Sequence, residues 1–164
     1  MDSINVNLDN LTQSEREQLM KLVEKGNKNK SKVWKPAMGE EYFSIGADSE
    51  ILYSRWENDS YGLGAYSMGN CYPTEEDAKF AIEKQKVFVE LQRYADEHND
   101  KIDWDNDCQN KYYIYYDHSE EKIDAYANQY SQSNATYFSN RTIAFEAVEA
   151  IGEDRIKMYL FNND

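Results

Sequence analysis

The apolar positions of this chain change spacing along its length, and the same order of spacings occurs twice. From Tyr42, and again from Tyr112, short segments rich in tyrosine and other strand-favouring residues precede a segment whose apolar residues recur three and four positions apart. Such short segments are typical of strands, whereas the second spacing is typical of an amphipathic helix. At the start of each helical segment, residues 70–83 align with residues 136–149. The pattern therefore predicts a repeated unit that consists of a hairpin, a short third strand and a helix.

The first predicted unit extends over residues 33–101. Its hairpin strands are predicted at 42–45 and 50–56, and its third strand at 66–72, after a loop rich in Gly, Asn and Asp. Thr74 is the predicted N-cap of the following helix, because its side chain can accept a hydrogen bond from an unpaired backbone N–H of the first turn.

The second predicted unit extends over residues 102–164. Residues 111–117 give the strongest strand prediction, because tyrosine and isoleucine favour strands, and a returning strand follows after a tight turn. A third strand is predicted at 135–138. Asn140 or Ser139 then caps a long helix, and a last short helix follows it.

Residues 1–32 are predicted to form a short helix and a basic linker. Thr12 and Glu15 can form a capping box, in which each side chain accepts a hydrogen bond from the other residue's backbone N–H. Gly26 is the predicted end of the helix, and residues 27–32 form the linker. The helix either folds back on the rest of the chain or docks onto a partner. The first alternative is favoured, because one short helix is marginal without packing.

These elements predict an α+β fold with two similar antiparallel ββ-β-α units, in each of which a small sheet is packed by a helix, after a short N-terminal helix. A chain of 164 residues can bury a core without a disulfide or a metal, as one compact domain or as two small units that share a core. The two cysteines lie outside any CxxC pair, and the sequence shows neither a secretory leader nor an apolar run long enough for a membrane span. We therefore expect a cytoplasmic protein.

The net charge of −13 is carried by the body of the chain. Residues 1–30 hold equal numbers of acidic and basic side chains, whereas the remainder holds 26 acidic and 13 basic ones. Such a surface repels phosphate backbones, so direct nucleic-acid binding by the body is disfavoured and a basic partner is favoured. The simplest consequence of the charge is solubility.

No motif for catalysis or cofactor binding is found. Neither the two histidines nor the two cysteines have the close spacing of zinc ligands. A Cys71–His118 nucleophile pair is disfavoured, because Cys71 lies in a strand-like segment typical of a small buried apolar residue. Residues 103–107 resemble the start of a calcium-binding loop, but Cys108 occupies the position that requires glycine. The sequence predicts no enzyme, no cofactor and no bound metal.

Aromatic residues carry the strongest functional implication, with fourteen tyrosines and three tryptophans. Alternation over residues 112–116 places Tyr113 and Tyr115 on the face opposite the helices, exposed at least in part. Such rings suit protein interfaces or stacking on a ring-bearing ligand, although tyrosine also simply favours half-buried strands. The residues predicted to contact a partner are Asp96, Glu97, Asp100, Asp103, Trp104, Asp105, Asp107, Tyr113, Tyr115 and Trp56.

Seven segments, spread over nearly the whole chain, carry a family resemblance. They are residues 10–12, 32–36 (KVWKP), 39–42, 69–76 (GNCYPTEE), 81–84, 112–117 and 149–157 (EAIGEDRIK). Together they resemble a family of small, acidic, largely uncharacterised proteins of bacteriophages and prophages of Gram-positive bacteria. The family offers no catalytic residues to carry over. The resemblance implies a protein made inside a bacterial host cell during infection or lysogeny.

The favoured hypothesis is a non-enzymatic phage protein that binds and modulates a host protein with a basic surface, such as a nuclease or another defence factor. The acidic stretch 96–107 would then imitate a phosphate strand. One alternative is a small-ligand binder, such as a sponge for a nucleotide signal, in which Arg55, Lys111 or Arg141 holds phosphate. Another is an accessory protein in phage replication or morphogenesis. A homodimer through exposed edge strands is a further expectation.

Overall fold

The structure is a computed structural model, and it describes residues 11–28, 33–132 and 134–162. The chain divides into two compact units between Lys35 and Pro36, shortly after the end of the predicted linker.

The first unit contains helix α1, Gln13–Lys28. The predicted capping box is confirmed, because the Glu15 carboxylate accepts a hydrogen bond from the Thr12 N–H at 2.8 Å, and Thr12 Oγ1 accepts one from the Glu15 N–H at 3.4 Å. The predicted end at Gly26 is wrong. The helix continues to Lys28, since one interior glycine costs a helix only about 1 kcal/mol. The parts of the predicted arm and linker that lie outside the described residues are 1–10 and 29–32.

The second unit, Pro36–Asp164, confirms the predicted α+β class. Two small antiparallel sheets, each a single hairpin, pack against helices. The elements are β1 (Glu41–Ile45), β2 (Ile51–Arg55), α2 (Ser60–Ser67), α3 (Glu75–His98), β3 (Lys111–Asp117), β4 (Lys122–Asn128), α4 (Arg141–Ile151) and α5 (Glu153–Phe161). Within the described ranges, no helix has both the length and the apolar character that crossing a bilayer requires.

Side chains at the helix ends explain why α3 and α4 begin and end where they do. Thr74 caps α3 by accepting a hydrogen bond from the Asp77 N–H at 3.1 Å. Asn140, the first of the two predicted caps of α4, accepts one from the Ile143 N–H at 3.0 Å. Gly152 ends α4 with a φ of +100°, a region that disfavours residues with a side chain.

The predicted third strand is reduced to one bridge in each half of this unit. Tyr72 bridges Phe43, and Phe138 bridges Tyr112, in each case through two backbone hydrogen bonds of 2.7–2.9 Å. The repeated order of hairpin, bridge and capped helix is therefore present in both halves.

Helix α2 replaces much of the predicted loop and the first two residues of the predicted third strand in the first half. Asp59 caps it by accepting a hydrogen bond from the Gly62 N–H at 2.7 Å. Gly62 is buried against Trp56, and a Cβ at this position would lie 3.2 Å from that ring. A close tertiary contact thus overrides the weak helix propensity of a segment that contains two glycines.

One hydrophobic core joins the two halves. It combines α3 from the first half with β4, α4, α5 and the bridge residue Phe138 from the second. Ala78 and Ala144, which the sequence repeat aligns, are both fully buried. The two predicted units therefore share a core. Its buried members are Val87, Leu91, Ala95, Ile123, Ala125, Phe138, Ala144, Ala147, Val148 and Ile156.

Candidate functional site

The β3–β4 hairpin has one face in the core and one outside it, as its alternation predicts. Tyr112 and Ile114 pack against the core, whereas Tyr113 and Tyr115 lie half-buried on the opposite face. The antiparallel register places Tyr113 opposite Tyr126, whose ring is exposed. The outer face is thus aromatic across both strands.

Four rings form a continuous aromatic surface on the outer side of this hairpin. The Trp104 ring meets Tyr137 edge-on, with 5.0 Å between the ring centroids. Tyr137 lies 6.0 Å from Tyr113, and Tyr113 lies 6.1 Å from Tyr126. Trp104 is 45% exposed and Tyr126 is 58% exposed, so the rings at both ends are open to solvent. We call these four residues the Trp104 surface.

Trp104 lies in the loop between α3 and β3, and contacts at both ends of this loop hold it in place. The fully buried Lys111 donates from Nζ to the Asn106 carbonyl at 2.8 Å, and its ammonium lies 5.5 Å from the centroid of the Trp104 ring, a cation–π contact. Asn99 anchors the start of the loop. Its amide nitrogen donates a hydrogen bond to the Tyr137 carbonyl, and its amide oxygen accepts one from the Ser139 N–H, both at 2.8 Å. Rings that are fixed in this way lose little freedom when a partner binds.

Acidic side chains surround this loop. All six acidic residues that were predicted to contact a partner are exposed, two in the last turn of α3 and four in the loop that carries Trp104. Partial burial, and then the carboxylates of Glu146, Glu97 and Glu149, raise the pKa of the Tyr94 hydroxyl. The negative region therefore extends from the end of α3 onto α4. Sequence reasoning missed Glu146 and Glu149, because they come from a helix far along the chain.

Trp56 belongs to the core, and the prediction that it contacts a partner is wrong. Its side chain is only 3% exposed. Its ring packs edge-on against Tyr42 at 5.8 Å and against Tyr66 at 6.1 Å between centroids. The cause is α2, which the sequence did not predict and whose Gly62 lies directly against the ring.

The three cations considered for a phosphate ligand are each engaged with oxygen atoms of the protein. Arg55 pairs with Glu41 at 3.3 Å, and Arg141 pairs with Asp124 at 2.6 Å. A backbone hydrogen bond, and then Arg141, hold the pKa of the Asp124 carboxyl below its ordinary value. Lys111 is buried and bound to a carbonyl. A phosphate ligand would therefore compete with these oxygen atoms for the three cations.

The groups considered for catalysis and metal binding are poorly suited to either. Burial raises the pKa of the Cys71 thiol, which disfavours the reactive thiolate. His118 lies in the turn after β3, where its ring meets Tyr116 edge-on at 5.0 Å. Among the residues that the structure describes, no group of three or more His, Cys, Asp or Glu side chains could hold a metal ion.

A groove of about 730 Å³ runs beside the outer edge of β3. Its walls come from α3, from residues 113–115 of β3, from residues 134–136 and from the end of α5. Both Tyr113 and Tyr115 line it, so it adjoins the Trp104 surface. Sequence reasoning missed this groove, because it is formed by segments that are distant along the chain.

Comparison of the chain with models of protein families, with curated proteins and with solved structures finds no match in any of the three.

Proposed function

We propose that this chain is a non-enzymatic protein that acts by contact, and that the Trp104 surface and the acidic residues around it bind the basic surface of a partner protein. One observation carries the proposal: Trp104, exposed in an acidic loop, is held in a fixed position against the rings on the outer side of the β3–β4 hairpin. Aromatic residues supply much of the binding energy in the centres of protein interfaces, and fixed rings add it at low entropic cost.

The charge of the chain supports a basic partner. With a net charge of −13, the protein attracts cationic surfaces over a distance of about a Debye length, roughly 10 Å at 0.1 M salt. Complementary charge of this kind accelerates association and makes the affinity sensitive to salt.

The resemblance to phage and prophage proteins supports a host protein as this partner. A nuclease, or another defence factor that binds phosphate backbones, has the basic groove that such an acidic surface fits. The protein would then inhibit its target by occupying that groove inside the bacterial cell.

The proposal is tested by capturing partners from the lysate of a Gram-positive host at low salt, followed by calorimetry with the purified partner. We expect the affinity to fall at least about tenfold between about 50 and 500 mM salt. Trp104→Ala should lower the affinity at least about tenfold at low salt. The control Tyr53→Ala, which removes a ring that is 57% exposed on the first hairpin, should leave it unchanged.

Variants with neutralised carboxylates distinguish the contribution of the acidic residues to binding from that of the rings. Neutralising three loop carboxylates should flatten the salt dependence, whereas neutralising three exposed acidic residues around the first hairpin should not. The proposal is contradicted if no partner is recovered at low salt, or if Trp104→Ala and Tyr53→Ala bind equally well. The loop variant combines Asp103→Asn, Asp105→Asn and Asp107→Asn, and its control combines Asp48→Asn, Glu50→Gln and Glu57→Gln.

A further inference from the structure

The two repeated halves differ at one hydrogen-bonding position beside the bridge. In the first half, Ile45 lies two residues after the bridge residue Phe43, and Asn70 lies two residues before the other bridge residue. The Asn70 carboxamide accepts a hydrogen bond from the Ile45 N–H and donates one to the Ile45 carbonyl, both at 2.8 Å. This side chain therefore completes the outer edge of β1.

The second half leaves the corresponding pair open. Tyr112 directs its N–H and carbonyl away from β4 to the bridge residue Phe138, so alternation directs those of Ile114 to the same edge. The residue opposite Ile114 is Thr136, where the first half has Asn70. In the part of the chain that the structure describes, nothing pairs with the Ile114 N–H or carbonyl.

Thr136 adds a second unsatisfied group at the same place. Its Oγ1 atom is buried and has no hydrogen-bond partner. This hydroxyl does not pair with the backbone of β3, whereas the Asn70 carboxamide pairs with Ile45 of β1. The gap at Ile114 thus has unpaired backbone groups on one side and an unpaired hydroxyl on the other.

The groove beside β3 surrounds this gap. Its α3 wall runs from Ala81 to Leu91, roughly 15 Å at 1.5 Å per residue, which matches about four or five residues of extended chain. Arg155 fixes the wall formed by α5, because its guanidinium bridges the carboxylates of Glu83 and Glu90 on α3. The groove is therefore a preformed slot with an open strand edge along one side.

We propose that this slot binds an extended peptide segment of a partner protein, which adds as a strand to the edge of β3. One residue of the peptide pairs with the Ile114 N–H and carbonyl, as the Asn70 carboxamide pairs with Ile45 in the first half. Strand addition obtains affinity from the main chain and specificity from alternate side chains. Here alternate side chains face the half-buried Phe88 of α3.

Charge favours a peptide with basic flanks. The slot itself contains Lys84 as its charged wall residue, whereas the chain as a whole carries a net charge of −13. The proposal rests on the proposed function only in taking the ligand to be part of a protein. It requires neither a host source nor contact with Trp104.

The test uses a displayed library of random octapeptides, selected on the full chain. Thr136→Asn serves for counter-selection, because its carboxamide can close the gap as Asn70 does. Thr136→Val is the matched control, since it keeps the side-chain shape and leaves the gap open. We expect the selected peptides to bind wild type and Thr136→Val alike, and to bind Thr136→Asn at least about tenfold more weakly.

Synthetic versions of the best peptide then identify the mode of binding. Methylation of the peptide nitrogen that pairs with Ile114 should abolish binding, whereas methylation of the next nitrogen, which points away from β3, should be tolerated. Hydrogen exchange of the Ile114 amide should slow at least about tenfold when the peptide binds.

Three results would overturn the inference. They are the absence of enrichment over Thr136→Asn, binding without protection of the Ile114 amide, and protection that rises with the concentration of the free protein alone, which would assign the edge to a second copy. Because the library contains no host protein, failure here leaves the proposed function untouched. Failure of the lysate experiment likewise leaves this inference untouched.

Discussion

Replacement of Phe138 by alanine is expected to lower the free energy of unfolding by about 3–5 kcal/mol. Phe138 is fully buried, and its backbone forms the bridge to Tyr112, so its ring lies where the hairpin, α3 and α4 meet. Loss of the ring removes apolar burial and leaves a cavity that rigid neighbours cannot fill. Urea unfolding followed by circular dichroism measures the change.

Phe145→Ala is the matched control for this prediction. Phe145 lies on α4 and is 38% exposed, with the Arg141 guanidinium 5.3 Å from the centroid of its ring. Its loss should cost no more than about 1 kcal/mol. Equal losses in the free energy of unfolding would show that Phe138 is not a central residue of the core.

Replacement of Asn70 by alanine is expected to lower the free energy of unfolding by about 2 kcal/mol. The substitution removes both hydrogen bonds to Ile45 and leaves a half-buried N–H and carbonyl without partners. The change is measured by urea unfolding, and the Ile45 amide should also exchange faster.

Thr136→Val provides the comparison for Asn70, because Thr136 occupies the corresponding position and makes no hydrogen bond through its hydroxyl. Removing that hydroxyl should leave stability unchanged or raise it by about 1 kcal/mol. If Asn70→Ala proves as mild as Thr136→Val, the carboxamide does not close the edge of β1. The comparison on which the peptide slot depends would then fail.

Much of the fold could be predicted, because local signals and tertiary packing agree. A run of Tyr and Ile residues fixes β3 at the predicted residues, Lys111–Asp117. Thr74 and Asn140 begin their helices because each side chain satisfies a backbone donor of the first turn. These are interactions between residues close along the chain, which a pattern in the sequence can reveal.

Helix α2 could not be predicted, because it depends on a contact rather than on propensity. Its two glycines weaken the helix locally, and Gly62 compensates by allowing the backbone to approach Trp56. The same contact buries Trp56, so the missed helix and the wrong assignment of this residue to the surface have one cause.

The candidate site was predicted in part for a similar reason. Tyr113, Tyr115 and Trp104 follow from alternation and from their position in a polar loop. Tyr126 could have been found by pairing β3 with β4 across the short turn between them. Tyr137 could not, because its place beside Trp104 depends on the Asn99 side chain, which reaches across 38 positions of the chain.

Hydrogen exchange of the protein alone and in complex with the partner recovered at low salt locates the binding surface. We expect binding to slow exchange in the loop of residues 99–110 and along β3 and β4, and to leave the β1–β2 hairpin unchanged. Slower exchange confined to β1, β2 and α2, with the Trp104 loop unaffected, would contradict this expectation.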